Sequence, residues 1–414
     1  MSRKILLTVI AILIVGFVTA TALFLYPYEP KKPPKANETG WTEQGVQEVV
    51  NANNKFALEL YSELSESEEG NIFYSPYSIF SALAMTYEGA RGNTAKEMEQ
   101  TLHFPGKDIL RPNFARIYNE INKPNDAYEL RTGNALWVQK NYPIHQSYMD
   151  VVEKYYGGKA TNLDFAHETE KSRETINSFI EEQTNGKIKE LIPRGVLTPA
   201  TVLVITNAIY FKGTWQFEFD PKNTREMDFK TPNGNVKVDM MYMNPEKARF
   251  NYTDLEDLQI LELPYKGGKV SMLILLPKEN LSSIEPLTVE KLEEWKKEIK
   301  ETKLDAIYIP KFEFTKKYSL NKALKALGMP TAFTSNADFS GITSDKIWID
   351  SVIHQAYIKV DEKGTEAAAA TAVTMVRSAM PKNVFKADHP FIFIIQERET
   401  GNILFMGRIM NPRG

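Results

Sequence analysis

The chain has 414 residues, of which 43% are hydrophobic, 11% aromatic and 25% charged, and its 50 basic and 53 acidic side chains leave a formal charge of −3. This content of apolar and aromatic residues suffices for a packed core, which argues against intrinsic disorder, and the near-neutral charge argues against a nucleic-acid partner. The absence of cysteine excludes disulfides, thiolate nucleophiles and cysteine metal sites.

The N-terminal segment differs in composition from the rest of the chain. Arg3 and Lys4 precede an apolar run over residues 5–26, which is interrupted by threonines. Its 22 residues match the ~20 that cross a hydrocarbon layer and exceed the core of a signal peptide, so we expect an uncleaved membrane anchor over residues 1–26. A signal segment cleaved near residues 20–22 is the alternative, and the flanking charges leave the orientation open. In both cases we expect an extracytoplasmic protein, membrane-anchored or secreted.

Residues 27–40 contain four prolines and three lysines, a composition that favours an extended, semi-rigid linker. From there on, no second linker and no internal repeat is visible. We therefore place one large domain at residues 41–414.

Helical patterns dominate the first half of this domain, and strand patterns dominate the second half. Apolar residues recur at helical spacing at Val46, Val49, Val50, Phe56, Leu60 and Leu64, and again over residues 82–87 and 176–192. Buried strands are predicted over residues 202–211, 270–276, 348–360, 391–395 and 404–409, with a hairpin turn at residues 399–402. Because helices and strands do not alternate regularly, the sequence predicts an α+β fold.

No enzyme motif is present. The chain has five histidines, which are His103, His145, His167, His354 and His389. No two of them have the spacing with which a helix binds a metal ion. A serine nucleophile elbow, a phosphate-binding loop and a dinucleotide fingerprint are also missing. We therefore predict a protein that is not an enzyme, with no catalytic residue, no metal site and no cofactor.

Residues 361–381 read DEKGTEAAAATAVTMVRSAMP and allow two interpretations. A short alanine-rich helix is one, since alanine is the best helix former. An extended segment is the other, because Gly364 precedes the alanines and β-branched residues follow them. As a strand, one face carries small uncharged residues, which are Thr365, Ala367, Ala369, Thr371 and Val373, and Glu366 lies on the other face. A segment with one small, uncharged face can slide between two existing strands, with Gly364 as a pivot.

The order of five motifs resembles the serpins, the serine protease inhibitor superfamily, in a microbial type with an N-terminal anchor or signal segment. The motifs are NIFYSPYS at residues 71–78, TNAIYFKGTW at 206–215, DFSGI at 338–342, DEKGTEAAAAT at 361–371 with His354 upstream, and FKADHPF at 385–391. The likeness extends from about residue 44 to residue 412. It implies helices packed on three β-sheets and an exposed reactive-centre loop that can insert into the main sheet.

The resemblance also implies a function and its site residues. A serpin of this kind is a monomeric suicide substrate, which traps the acyl-enzyme of a serine protease by insertion of the cleaved loop. The implied hinge comprises Glu362, Gly364, Thr365, Glu366, Ala367, Ala368, Ala369 and Ala370, whose small residues keep the inhibitory pattern. Two alternatives are a non-inhibitory serpin that acts as a carrier or structural partner, and a cysteine-protease inhibitor on the same scaffold.

The scissile bond has two candidate positions. Spacing from Glu362 points to Ser378, before Ala379, and suits an elastase-like or subtilisin-like protease. Arg377, one position earlier, suits the acidic pocket of a trypsin-like protease. The sequence leaves both open, and Arg377 can also be a solvated loop charge.

By the same resemblance, a polar cluster controls the opening of the main sheet, and its members are Ser75, Ser78, Asn207 and His354. Buried polar groups must be hydrogen-bonded, so a network that bridges two strands is costly to break. Trp215 resembles an aromatic plug where insertion begins. Taken alone, His354 and Trp215 would be interpreted as ordinary core residues.

Overall fold

The computed structural model describes residues 35–123, 127–245, 248–365 and 383–414. The compact unit comprises Ala36–Gly414. The predicted anchor over residues 5–26 lies outside the described residues, and among those described no helix is long and apolar enough to cross a membrane. Residues 36–40, which the composition assigns to the linker, begin with the buried Ala36. The Ala36 N–H donates to Asn119 Oδ1, and the Ala36 carbonyl accepts from Asn119 Nδ2, both at 2.9 Å.

Most helices of the described chain lie in its first half, as predicted. In chain order they are α1 (Glu43–Ser67), α2 (Pro76–Gly89), α3 (Gly92–Leu102), α4 (Lys107–Ile121), α5 (Gln146–Tyr156), α6 (Thr169–Gln183), α7 (Val289–Lys297) and α8 (Asn321–Ala326). Every residue of α2 is buried, so this helix lies at the centre of the molecule. It begins where Ser75 Oγ accepts the Ser78 N–H at 3.1 Å, with Pro76 at the first helical position.

The helix predicted over residues 176–192 is wrong in its second half. Helix α6 ends at Gln183, because Asn185 and Gly186 both adopt left-handed backbone angles, with φ of 54° and 73°. Ile188 and Ile192 in the loop that follows are nevertheless fully buried. Their spacing therefore reflects burial against the neighbouring sheet and not a continuing helix.

The described strands form three sheets, which confirms the predicted α+β fold of helices on three sheets. The main sheet contains β2 (Tyr128–Gln139), β3 (Lys159–Leu163), β4 (Leu203–Thr214), β12 (Phe312–Ser319), β13 (Ser351–Asp361) and β14 (Gly364–Thr365). The order of its strands is β12–β13–β14–β4–β2–β3. The second sheet contains β1 (Ile72–Tyr74), β7 (Phe250–Asp254), β8 (Leu258–Pro264), β9 (Val270–Pro277), β10 (Lys300–Thr302), β16 (Phe391–Glu397) and β17 (Ile403–Ile409). The third contains β5 (Arg225–Thr231), β6 (Gly234–Met243), β11 (Ala306–Pro310) and β15 (Val384–Lys386).

The predicted strands match these elements closely. The runs at residues 202–211, 270–276, 391–395 and 404–409 correspond to β4, β9, β16 and β17, and the run at 348–360 corresponds to β13, which begins at Ser351. Strands β16 and β17 pair antiparallel across the turn at residues 399–402, which confirms the hairpin.

The boundary between β13 and β4 is here called the seam. In its lower part the two strands pair with each other, and in its upper part β14 lies between them. In its lower part the two strands run parallel and pair directly, from Ser351 opposite Val204 to Ala356 opposite Ile209. At the upper end β14 lies between them and runs antiparallel to both, with Thr365 opposite Gly213 and Val360. The main sheet therefore already accommodates the first two residues of an additional strand.

Candidate functional site

The turn into β14 is built around Gly364. Its φ is +151°, and a Cβ at this position would lie 2.0 Å from the carbonyl oxygen of Gly213, so no larger residue fits here. Thr365, which follows, is 1% exposed, and its Oγ1 lies 2.8 Å from the hydroxyl of Tyr265. The side chain of Thr365 therefore faces the buried side of the main sheet.

Trp215 lies directly against this turn. Its indole Nε1 donates to the Asp361 carbonyl at 3.0 Å, and its backbone N–H donates to the Lys363 carbonyl at 2.7 Å. The indole ring stacks on Tyr265 with a centroid distance of 4.5 Å. The predicted plug residue thus holds the turn that leads into the seam, together with Tyr265, which the sequence did not single out.

Glu362 anchors the same turn from its other side. Its Oε1 accepts a hydrogen bond from Thr224 Oγ1 at 2.7 Å, and its Oε2 pairs with Lys311 Nζ at 3.1 Å. Burial alone would raise the pKa of Glu362, but the bonds from Thr224 and Lys311 outweigh it and hold this pKa below its usual value. Glu362 is therefore ionised at neutral pH, with a partner that neutralises its charge.

A row of polar side chains crosses the lower seam. His354 on β13 lies opposite Asn207 on β4, and Asn207 lies opposite Asn134 on β2. His354 is fully buried; it accepts the Ser75 N–H at Nε2, at 3.1 Å, and contacts Asn207 Oδ1 through Nδ1. Because Nε2 accepts, Nδ1 carries the proton and donates to Asn207. Burial lowers the pKa of His354 to about 3, so the imidazole is neutral.

The row continues into helix α2. Asn207 Nδ2 donates to Ser78 Oγ at 2.6 Å, and Asn134 Nδ2 donates to Ser81 Oγ at 3.0 Å. Ser75 Oγ donates to the carbonyl of Leu404 on β17 at 2.6 Å. The predicted members Ser75, Ser78, Asn207 and His354 are therefore connected in one network across β13, β4 and α2.

The sequence did not identify Asn134, Ser81 or Tyr318 as members of this network. Tyr318 on β12 lies opposite His354, and the two rings are stacked at 6.5 Å between centroids. A usable signal was present for Asn134, which directly precedes the buried apolar run Ala135–Val138 of β2, because a buried amide at the start of such a run needs a partner.

The remaining predicted site residues lie outside the described residues. They are the hinge residues Glu366, Ala367, Ala368, Ala369 and Ala370 and the scissile-bond residues Arg377, Ser378 and Ala379. The described chain continues at Asn383, whose N–H donates to Asp305 Oδ2 at 3.0 Å, and β15 then pairs parallel with β11. Within the described ranges, no group of three or more His, Asp or Glu side chains is placed to hold a metal ion.

This geometry places a two-residue strand, β14, between β13 and β4 at the upper end of the seam. Below β14, the seam is held by a short parallel ladder and by the hydrogen bond between His354 and Asn207. Since buried polar groups without partners are costly, this polar row stabilises the closed seam.

Comparisons with known proteins identify the family. A family model described as serpin (serine protease inhibitor) matches residues 51–412. An uncharacterized serpin-like protein of Thermococcus kodakarensis is 46% identical over 88% of this chain and 86% of its own length. Leukocyte elastase inhibitor A of Rattus norvegicus is 39% identical over 89% and 100% of the two chains. Human thyroxine-binding globulin, in a crystal structure with thyroxine, superposes with a TM-score of 0.81 at 31% identity and covers 89% of this chain and 100% of that one.

The chain therefore belongs to the serpin family. Serpins are mostly protease inhibitors and not enzymes, and they generally act on target proteases.

Proposed function

We propose that this serpin inhibits serine proteases as a suicide substrate. A protease cleaves the loop that follows Thr365, and the freed loop inserts between β13 and β4 while the protease is still attached as an acyl-enzyme. The observation that carries the proposal is β14, which enters the seam antiparallel to both neighbours. Insertion thus continues a pairing that the intact protein has already begun.

The strand register supports a full insertion without a shift. From Thr365 onward, each further inserted residue would lie one residue back on β4 and one residue back on β13. Six residues on, Thr371 would therefore lie between Asn207 and His354, which face each other directly in the closed seam. A single uninterrupted strand fits both edges, and the Thr371 hydroxyl would offer these two side chains a new hydrogen-bonding partner.

The alternation of side chains supports the same insertion. Thr365 points to the buried face, so every second residue after it would do the same in a continuous strand. These positions are Ala367, Ala369, Thr371 and Val373, all small or β-branched, whereas Glu366 would face the opposite side. As far as Val373, no charged or bulky side chain would have to enter the close-packed interior.

The energetics favour the inserted form. On the order of ten net new ladder hydrogen bonds, at about 1 kcal/mol each, would stabilise it by roughly 10 kcal/mol. The intact protein is then metastable and persists because the opening of the seam has a barrier. The position of the scissile bond decides the class of target protease. A bond after Ser378 suits an elastase-like or subtilisin-like protease, and a bond after Arg377 suits a trypsin-like protease.

A direct test mixes the full chain with trypsin and, separately, with elastase. We expect a covalent complex that survives SDS, and N-terminal sequencing of the released C-terminal fragment then identifies the bond after Arg377 or after Ser378. Complete loop cleavage without a complex, at every ratio of protease to protein, would contradict the proposal. A complex with a papain-like enzyme instead of both serine proteases would favour a cysteine-protease inhibitor.

A carrier function is the second candidate, because the surface has a cavity of about 590 Å³. Helices α1 and α7 and the turn between β16 and β17 line it, mainly with polar side chains, and the buried Gln396 Oε1 in its wall has no hydrogen-bond partner. The structurally similar thyroxine-binding globulin carries thyroxine in its crystal structure. A rise in melting temperature with thyroxine, together with cleavage that never traps a protease, would favour this function.

We also propose that residues 5–26 anchor the protein in a membrane with the serpin domain outside the cytoplasm. The apolar run of 22 residues supports this location. Membrane fractionation with N-terminal sequencing of the mature protein tests it, since a mature chain that begins near residue 22 would instead indicate secretion.

A further inference from the structure

The lower ends of β13 and β4 are joined by a carboxylate. Asp350, the residue immediately before β13, accepts hydrogen bonds at Oδ2 from the backbone N–H groups of Val202 and Leu203, the latter at 3.0 Å. Its own N–H donates to the Leu203 carbonyl at 3.0 Å. One aspartate thus makes three hydrogen bonds across the base of the seam, below the last directly paired residues.

The backbone of Asp350 is held in place from its other side. Asn321, the first residue of α8, donates from Nδ2 to the Asp350 carbonyl at 2.7 Å and accepts the Val352 N–H at Oδ1, at 2.9 Å. The N–H of Leu320 donates to the Val352 carbonyl at 2.9 Å. The base of β13 and the start of α8 therefore form one block, and Asp350 ties the start of β4 to it.

We propose that Asp350 is a latch that holds the base of the seam closed and limits how readily the main sheet opens along its full length. Hydrogen bonds to an ionised carboxylate are roughly twice as strong as those between neutral groups. An asparagine here would keep one neutral acceptor, and an alanine would keep none. The latch is distinct from the polar row at His354 and Asn207, which lies four residues further up each strand.

The position of Asp350 also sets the order in which the hydrogen bonds across the seam would break during insertion. Counted from Thr365, Gly213 and Val360, ten residues of an inserted strand bring Met375 level with Leu203 and Asp350. The bonds of Asp350 would therefore be the last to break as a strand enters from above. This role in insertion rests on the proposed function, but the closure of the seam by Asp350 can be measured without any protease.

The first experiment compares hydrogen–deuterium exchange in the intact wild type and in the Asp350→Ala variant. We expect exchange to become about tenfold faster in peptides that cover residues 204–209 and 351–356, above the lost bonds. The Asp350→Asn variant should lie between the two, and it provides a second test if the alanine variant fails to fold. Asp338→Ala is the matched control, because this carboxylate also accepts a backbone N–H, from Ser340, but does not join β13 to β4.

The second experiment adds a synthetic peptide with the sequence of residues 365–376 to the intact protein and follows its incorporation on native gels. We expect Asp350→Ala to incorporate it about tenfold faster than the wild type and the Asp338 control. Unchanged exchange and unchanged incorporation in both Asp350 variants would overturn the latch. Faster incorporation in a protein that traps no protease would leave the latch in place and contradict the proposed function.

Discussion

Replacement of Thr365 by arginine tests the hinge most directly. Thr365 is 1% exposed, and its hydroxyl contacts Tyr265 beneath the stacked ring of Trp215. An arginine must either bury its guanidinium there or leave the seam. The nearby carboxylate of Glu362 cannot neutralise it at no cost, because that carboxylate is already paired with Lys311.

The expected effect is large. A buried charge without a partner costs about 3–5 kcal/mol, and each 1.4 kcal/mol corresponds to roughly a tenfold change in rate. If the arginine leaves the seam in the intact protein, insertion after cleavage must bury it, so this step should slow by about 100-fold or more, whereas hydrolysis of the acyl-enzyme is a property of the protease and keeps its rate. The variant should be cleaved and released, so that the number of serpin molecules consumed per trapped protease rises to about 10 or more.

The assay is a titration of protease with wild type and variant, read as residual activity and as SDS-stable complex. Thr365→Ser is the matched control, because it keeps a small side chain with a hydroxyl for Tyr265, and it should remain an inhibitor. The same melting temperature for both intact variants would show that the fold is preserved. An unchanged stoichiometry in Thr365→Arg would refute the reasoning that this side chain enters the buried face.

Three further predictions concern the seam. Asn207→Ala removes the partner of His354 Nδ1 and should lower the free energy of unfolding of the intact protein by about 1–3 kcal/mol in a denaturant titration; an unchanged midpoint would contradict the role of the polar row. His354 has a pKa of about 3 in the folded protein and 6.5 in the unfolded chain, so the unfolded state binds the proton first as the pH falls. The stability that neutral His354 confers is therefore fully present above pH 6.5 and is lost at lower pH. Between pH 6 and pH 5 this should cost about 1 kcal/mol in the wild type and nothing in His354→Gln, as measured by urea unfolding. Cleavage of the loop should raise the melting temperature by roughly 10 °C in calorimetry, and equal values for cut and intact protein would argue against insertion.

Several features were readable from the sequence because they depend on neighbouring residues. The helix that contains Val46 and Leu64, the strands at residues 270–276 and 404–409 and the hairpin between β16 and β17 follow from local periodicity and turn chemistry. The helix assigned to residues 176–192 was wrong beyond Gln183, because Ile188 and Ile192 owe their burial to the sheet that the loop covers and not to helical periodicity.

The sequence by itself predicted which segment is able to enter the sheet, because Gly364 and the residues after it give an extended strand one small, uncharged face. Only the tertiary structure decided where the start of that segment, Gly364 and Thr365, lies. His354 and Asn207, or Asp350 and Leu203, are separated by 147 residues, and nothing local distinguishes such a pair from other buried polar and apolar residues. Strand neighbours so far apart are selected by the packing of the whole core, which aligns β13 with β4 and leaves the seam between them.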